Sequence, residues 1–121
     1  SILEARIDAT DPVAWGMPER GDFYFERSAS FILPPNPAMD GLKPIVWIDR
    51  DAPLRSGWAW GQKYLKDSVT VASASVGAGK LHLMGSEIAF RGQTHGTFKL
   101  LFNALFLATA EPVQTPPLAP Q

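Results

Sequence analysis

Alternating apolar and polar positions predict short β-strands along the first two thirds of the chain. Residues 2–8, with the sequence ILEARID, alternate as a half-buried strand does. Residues 23–37 contain one or two further short strands before a cluster of prolines, and residues 45–48 form the compact apolar run of a buried strand. Residues 68–84 alternate on either side of a glycine-rich turn, which predicts a β-hairpin.

One long helix is predicted near the end of the chain. Residues 98–110 contain neither glycine nor proline, and Thr94 or Thr97 can cap the start of a helix there. Lys99 and Asn103 are four residues apart and share one helical face. Nearly all the other positions are apolar, so we expect most of the helix perimeter to be buried.

The order of these elements predicts an α/β fold, with a small mixed sheet and one long C-terminal helix. Shorter helical turns are expected at residues 62–66 and from Pro12, where Thr10 or Asp11 can cap a turn that has Pro12 in its first position. Residues 1–111 are predicted to form a single domain, followed by a proline-rich tail at residues 112–121. One helix covers one sheet face, so we expect a neighbouring domain or a second chain to cover the rest.

Composition indicates a globular domain and narrows the functional classes. Apolar residues make up 45% of the 121 residues, enough for one buried core. The 11 Lys and Arg residues nearly balance the 12 Asp and Glu residues without forming a basic stripe, which argues against nucleic acid as a partner. No apolar run approaches the roughly 18–20 residues of a membrane span, so no span is expected. Without cysteine, this chain has no thiolate chemistry.

Residues that could carry catalysis are few. Zinc hydrolases use two or three histidines and a carboxylate, but His82 and His95 are the two histidines here, and no glutamate follows either at three or four residues. We therefore expect no metal ligands in this chain and assign His95 to a loop that starts the helix. A hydrolase using Ser86, Glu87 and His95 remains a hypothesis, although no G-x-S-x-G motif surrounds the serine.

Two tryptophans in the sequence SGWAWG suggest a binding surface. Trp58 and Trp60 could stack on a glycan or contact a peptide, with Arg91, Gln93 and His95 as further binding candidates. The alternative is that the two tryptophans cover the hydrophobic core. The sequence leaves both interpretations open.

Three motifs carry a resemblance to a known family. TDPVAWGMP, SGWAWGQKYL and GKLHLMGSEIAFRGQTHGTFKLLFNALF occur in the order seen in the C-terminal domain of bacterial zinc carboxypeptidase-like proteins. The resemblance covers roughly residues 2–110, and RGQTHGTFKLLFNALF is its most specific part. It implies a domain similar to the later half of a class I glutamine amidotransferase-like, flavodoxin-like fold, and a chain that is part of a longer protein.

The resemblance also implies that this part of such a protein is not catalytic. Gly85, Ser86 and Glu87 stand where the amidotransferase fold has a catalytic His-Pro-Glu, so only Glu87 matches, and the nucleophilic cysteine is absent. The expected function is an accessory domain that supports, or presents substrate to, an upstream peptidase domain holding zinc. The resemblance further implies a secreted or periplasmic location, and the truncated sheet suggests a homodimer of the isolated chain. No catalytic residue is assigned, and the candidate binding residues are Trp58, Trp60, Glu87, Arg91, Gln93 and His95.

Overall fold

A computed structural model describes residues 1–111 and 113, and these residues form six β-strands and one α-helix. The strands are β1 (Ile2–Ile7), β2 (Arg20–Tyr24), β3 (Leu42–Trp47), β4 (Leu54–Ser56), β5 (Val69–Val76) and β6 (Gly79–Met84). The helix α1 spans Phe98–Leu107 and follows two short 3₁₀ turns. The α/β content predicted from the sequence is therefore confirmed, while the predicted tail, apart from Val113, lies outside the described residues.

The strands form one curled sheet in the order β2-β1-β3-β5-β6, with β4 also paired to β1. β1 has two edges: β2 occupies one, and β3 and β4 share the other. Every pairing within the described residues is antiparallel, so the expectation of a mixed sheet was wrong. The physical reason is that parallel neighbours are usually joined by a crossover helix, whereas the described connections between these strands contain 3₁₀ turns and no α-helix.

The predicted hairpin is confirmed as β5 and β6. Their register pairs Val76 with Gly79 at the turn and continues to Val71 opposite Met84. Gly77 has a φ of 57°, a left-handed conformation that glycine adopts without steric cost. The hairpin places β6 at one end of the sheet order.

The core lies between one face of this sheet and α1. Strand residues Ala5, Phe23, Ile45 and Val71 are buried in one cluster with Leu100 of the helix. Further members of that cluster are Ile7, Val13, Ala14, Met17, Val46, Ile48, Ile88 and Ala104. A helix of ten residues is marginal in water by itself, so packing on the sheet must provide most of its stability.

The expectation that most of the helix perimeter is buried was wrong. Leu100 and Ala104 face the core, whereas Phe102, Leu105 and Phe106 are exposed. The sheet provides one apolar surface, so the helix that packs on it buries one side and exposes the other. The apolar composition alone could not indicate whether a second surface was present.

The start of α1 also differs from the expected threonine cap. Thr97 is the N-cap residue, but its side chain makes no capping hydrogen bond. Its buried Oγ lies 2.6 Å from the carbonyl oxygen of Ile88 and 2.7 Å from that of Thr94. The hydroxyl thus fixes the segment before the helix instead of the first helical turn.

The loop after β1 is fastened to the helix by side chains predicted to share one helical face. Asp11 caps the 3₁₀ turn Pro12–Ala14 as expected, accepting the N–H of Val13 at 2.9 Å. Asn103 Nδ2 donates to the carbonyl oxygens of Val13 and Trp15, at 2.9 and 3.0 Å. Lys99 Nζ donates to a third carbonyl of this loop, that of Gly16, at 2.6 Å. These bonds set the position of α1 along the sheet.

Candidate functional site

Ser86 and Glu87 lie in the segment between β6 and α1. The carboxylate of Glu87 accepts two backbone N–H groups of the loop after β2, that of Glu26 at 3.1 Å and that of Arg27 at 3.3 Å. Ser86 is buried, and its Oγ has no hydrogen-bond partner among the described residues. Glu87 therefore holds a loop in place, with one carboxylate oxygen engaged by each N–H group.

Arg91, Gln93 and His95 lie in the segment of two 3₁₀ turns before α1, and all three are exposed. The guanidinium carbon of Arg91 lies 4.9 Å from the ring centre of Phe90. The ring centre of His95 lies 5.3 Å from that of Phe98. As predicted, His95 belongs to the segment that starts the helix. None of the three candidates has a side-chain hydrogen bond within the described residues, so they do not converge on a polar site.

The hydrolase hypothesis requires a serine, a histidine and a carboxylate linked by hydrogen bonds. Within residues 1–111 no hydrogen bond joins Ser86, Glu87 and His95 in any pair, since Glu87 binds backbone N–H groups and Ser86 Oγ has no partner. The geometry gives no support to an activated serine at this place.

A serine and a histidine that the sequence did not lead us to pair are neighbours on β5 and β6. Ser73 and His82 are register partners, and Ser73 Oγ lies 2.8 Å from His82 Nδ1. They line a groove of about 640 Å³ together with Lys43 and the end of α1. In the described part of the chain no carboxylate bonds to His82, so the orienting acid of a catalytic triad is missing. Counting outward from the glycine turn of the predicted hairpin could have identified this pair.

Asp11, which lines this groove, and the nearby Asp8 form ion pairs with Lys43. Lys43 Nζ lies 2.7 Å from Asp11 and 3.6 Å from Asp8. The hydrogen bond to Asp11 raises the pKa of Lys43, while the hydrogen bond from Thr10 lowers the pKa of Asp8. A carboxylate whose pKa is lowered is a poor general acid near neutral pH. The cluster fits a structural role better than proton transfer.

A second network of charges lies on β1, β2 and the segment after β3. Glu4 lies 3.2 Å from both Arg20 and Arg50, and Asp49 forms an ion pair with Arg20. The hydrogen bond from Arg20 lowers the pKa of Asp49. Arg55 extends the network from β4 to Glu4 at 3.9 Å. Each of the two carboxylates in this network is paired with an arginine, and the arginine side chains are the more exposed partners.

Residues 57–66, here called the aromatic loop, hold three large rings in solvent. Trp58, Trp60 and Tyr64 are 78%, 88% and 81% exposed, so the two tryptophans do not cover the core. The rings surround a shallow hollow of about 410 Å³. The base of the loop is fixed by Gln62, whose Oε1 accepts the N–H of Leu54 at 3.0 Å. The loop therefore presents its aromatic side chains from an anchored base.

The outer face of α1, meaning Phe102, Leu105 and Phe106, is a second exposed apolar surface. These residues are 54%, 63% and 83% exposed. At about 100° per residue they project away from Leu100 and Ala104, which are buried against the sheet. Aromatic and aliphatic side chains of this size are rarely left together in solvent without a binding role.

Metal-ligand clusters and membrane-spanning helices are absent from the described residues. The described side chains form no group of three or more His, Asp and Glu residues suited to hold a metal ion. His82 is bonded to Ser73 on the hairpin, whereas His95 belongs to the segment before α1. Within the described part of the chain, no helix has the length and apolarity needed to cross a bilayer.

No protein-family model, curated protein or solved structure matches this chain. Function is therefore inferred from the outer face of α1, the aromatic loop and the sequence resemblance.

Proposed function

We propose that the chain is a non-catalytic accessory domain of a bacterial zinc carboxypeptidase-like protein that is secreted or periplasmic. In this proposal the domain packs against an upstream peptidase domain and supports it or helps present its substrate. The observation that carries the proposal is the exposed apolar outer face of α1.

The outer face is suited to contact with another folded domain. Leu100 and Ala104 already attach α1 to the sheet, so the fold of this domain gives no reason for apolar residues on the opposite side. Complete burial of a leucine or phenylalanine side chain contributes roughly 1.5–3 kcal/mol. Phe102, Leu105 and Phe106 are each more than half exposed. Covering them with a neighbouring domain would therefore stabilise the contact by more than half of that amount for each residue.

The surroundings of the candidate residues support the non-catalytic part of the proposal. Glu87, which aligns with the catalytic glutamate of the amidotransferase motif, is engaged by two backbone N–H groups. His82 and His95 lie on separate segments and offer no ligand set for zinc. Zinc would therefore be bound by the proposed peptidase domain, where it would supply the Lewis acid for hydrolysis.

The finer likeness to an amidotransferase fold also remains a proposal. Its support is the order of the sequence motifs and the position of Glu87 after β6. A flavodoxin-like sheet is mostly parallel, whereas the strand pairings described here are antiparallel. The likeness therefore depends on the sequence, and the sheet order does not add to it.

The proposal is tested first by the gene that encodes the chain. A reading frame that places a peptidase domain upstream is the expected result, and a frame without one would reject the proposal. In the longer protein, Phe102→Ser combined with Leu105→Ser should increase proteolytic cleavage between the domains, because the substitutions remove apolar contact. Ile32→Ser and Met39→Ser form the matched control, since both side chains are exposed and lie outside α1.

A second candidate function is a glycan- or peptide-binding module that uses the aromatic loop. The observation that favours a binding role is the exposure of Trp58 and Trp60. Alanine at both positions should abolish binding to an immobilised glycan or peptide while the circular dichroism spectrum stays unchanged. Unchanged binding by that variant would reject this function.

Self-association of the isolated chain is a separate proposal. β6 is the last strand of the sheet order, and an unpaired strand edge can bind another strand. Two copies could therefore pair through β6 when no neighbouring domain is present. Sedimentation that detects only monomer at high concentration would reject this pairing.

A further inference from the structure

We propose that the aromatic loop, residues 57–66, is a docking site for an anionic membrane surface. The inference does not depend on the accessory role, because the loop and α1 are separate elements. It rests on which side chains the loop exposes, how its base is fixed, and which charges it carries.

The exposed side chains have the chemistry of the bilayer interface. Trp58, Trp60 and Tyr64 each combine a large apolar ring with one polar tip, an indole N–H or a phenol O–H. Such side chains are enriched where hydrocarbon meets the lipid headgroups, because the ring and the tip can each contact a matching layer. The largest apolar side chains in solvent within this loop are these three, since Leu65 is half-buried.

The base of the loop holds the rings outward. Leu54 donates its N–H to Gln62 Oε1 at 3.0 Å, and Ser1 Oγ donates to the carbonyl oxygen of Trp58. Gly57 and Gly61 have φ values of 89° and 75°, which are strained for residues with a side chain. An anchored loop loses little conformational entropy on binding, which favours a surface contact through a few residues.

The charge of the loop complements an anionic surface. Residues 57–66 contain Lys63 and Lys66, and the nearest acidic residue in the sequence is Asp67, directly after the loop. Lys63 Nζ lies 5.2 Å from the ring centre of Tyr64, so a positive charge is beside the aromatic surface. Lys66 is partly neutralised by Asp51 at 3.4 Å, which leaves Lys63 as the main electrostatic contact. A lysine near an anionic leaflet strengthens binding by about fivefold, the equivalent of about 1 kcal/mol.

The same residues favour a lipid surface over ligands that need a directed polar partner. A quaternary ammonium group is held by aromatic rings, but Lys63 would repel it and residues 57–66 offer no carboxylate. A sugar forms directed hydrogen bonds in both directions, and the one side-chain carbonyl of the loop, that of Gln62, already accepts the Leu54 N–H. A lipid surface needs neither a carboxylate nor a directed acceptor.

The test is co-sedimentation of the 121-residue chain with vesicles of phosphatidylcholine, with and without phosphatidylserine. We expect binding that increases with phosphatidylserine and decreases with salt. Trp58→Ala with Trp60→Ala should weaken binding at least about tenfold, the equivalent of about 1.4 kcal/mol, and Lys63→Gln about fivefold. Trp15→Ala and Ile32→Ser are matched controls, since both side chains are exposed outside the loop and outside α1, and they should bind as the unaltered chain does.

Unfolding midpoints of all variants should agree, because the substituted side chains are exposed. Absence of vesicle binding by the unaltered chain would overturn the inference, as would equal loss in the Trp15→Ala control. Retention on an immobilised glycan without vesicle binding would assign the loop to sugar instead. None of these results depends on a peptidase domain, so failure here is distinguishable from failure of the accessory role.

Discussion

The orientation of α1 is tested by two leucine substitutions on opposite sides of the helix. Leu100 is 0% exposed and belongs to the core cluster, whereas Leu105 is 63% exposed. Leu100→Ala should lower the free energy of unfolding by about 3 kcal/mol, combining the lost transfer energy with the cavity left behind. Leu105→Ala should change it by less than about 0.5 kcal/mol, since an exposed position loses little and alanine favours helix.

The assay is thermal and urea unfolding of the unaltered chain and the two variants under identical conditions. For a domain of this size about 3 kcal/mol corresponds to a decrease in melting temperature of roughly 12 °C or more. Urea midpoints should move with unchanged slopes, because neither substitution alters how much surface unfolding exposes. Equal destabilisation by the two variants, or a larger effect at Leu105, would refute the orientation and the docking argument built on it.

Three further predictions concern the connections that position the elements. Gly85→Ala should destabilise strongly because its Cβ would overlap a backbone carbonyl of the loop after β2, whereas Gly96→Ala meets open space and should be tolerated in the same melting assay. Asn103→Ala removes two hydrogen bonds to backbone carbonyls and should cost about 1–2 kcal/mol in urea unfolding. The pKa of Asp49 is lowered in the folded state by the hydrogen bond from Arg20, so its stabilisation is present above the unfolded pKa of about 3.9 and is lost as pH falls through the folded value. Asp49→Asn should therefore destabilise near pH 7 and lose that effect in acid, and a constant difference across the titration would contradict this assignment.

The sequence was sufficient to predict elements whose residue pattern is long and depends on neighbouring residues alone. The alternation at residues 2–8 and the glycine-rich turn of residues 68–84 predicted β1 and the hairpin, because side-chain period and turn chemistry act over a few residues. β4 was missed, since three residues are too few to show alternation, and its pairing depends on β1. The antiparallel order could have been inferred because only short helical turns, and no long helix, were predicted between the strands.

Burial and side-chain contacts were harder to predict than the elements. The composition of α1 suggested a helix buried on most sides, yet burial depends on how many surfaces surround it. Glu87 was a binding candidate by its position in a motif, but its backbone partners are about 60 residues away in sequence. The spacing of Trp58 and Trp60 alone does not indicate whether the two side chains are exposed, as they are, or cover the core.

The accessory-domain proposal is tested most directly by thiol labelling of the outer face of α1. The chain contains no cysteine, so Phe106→Cys introduces one reporter, and Ile32→Cys, also at an exposed position, provides the control. Labelling rates would be measured by peptide-resolved mass spectrometry in the isolated chain and in the proposed longer protein with its upstream domain. The account predicts rapid labelling of both variants in isolation and strong protection of the cysteine at position 106 alone in the longer protein. Equal labelling rates for that cysteine in the two proteins would contradict docking through α1.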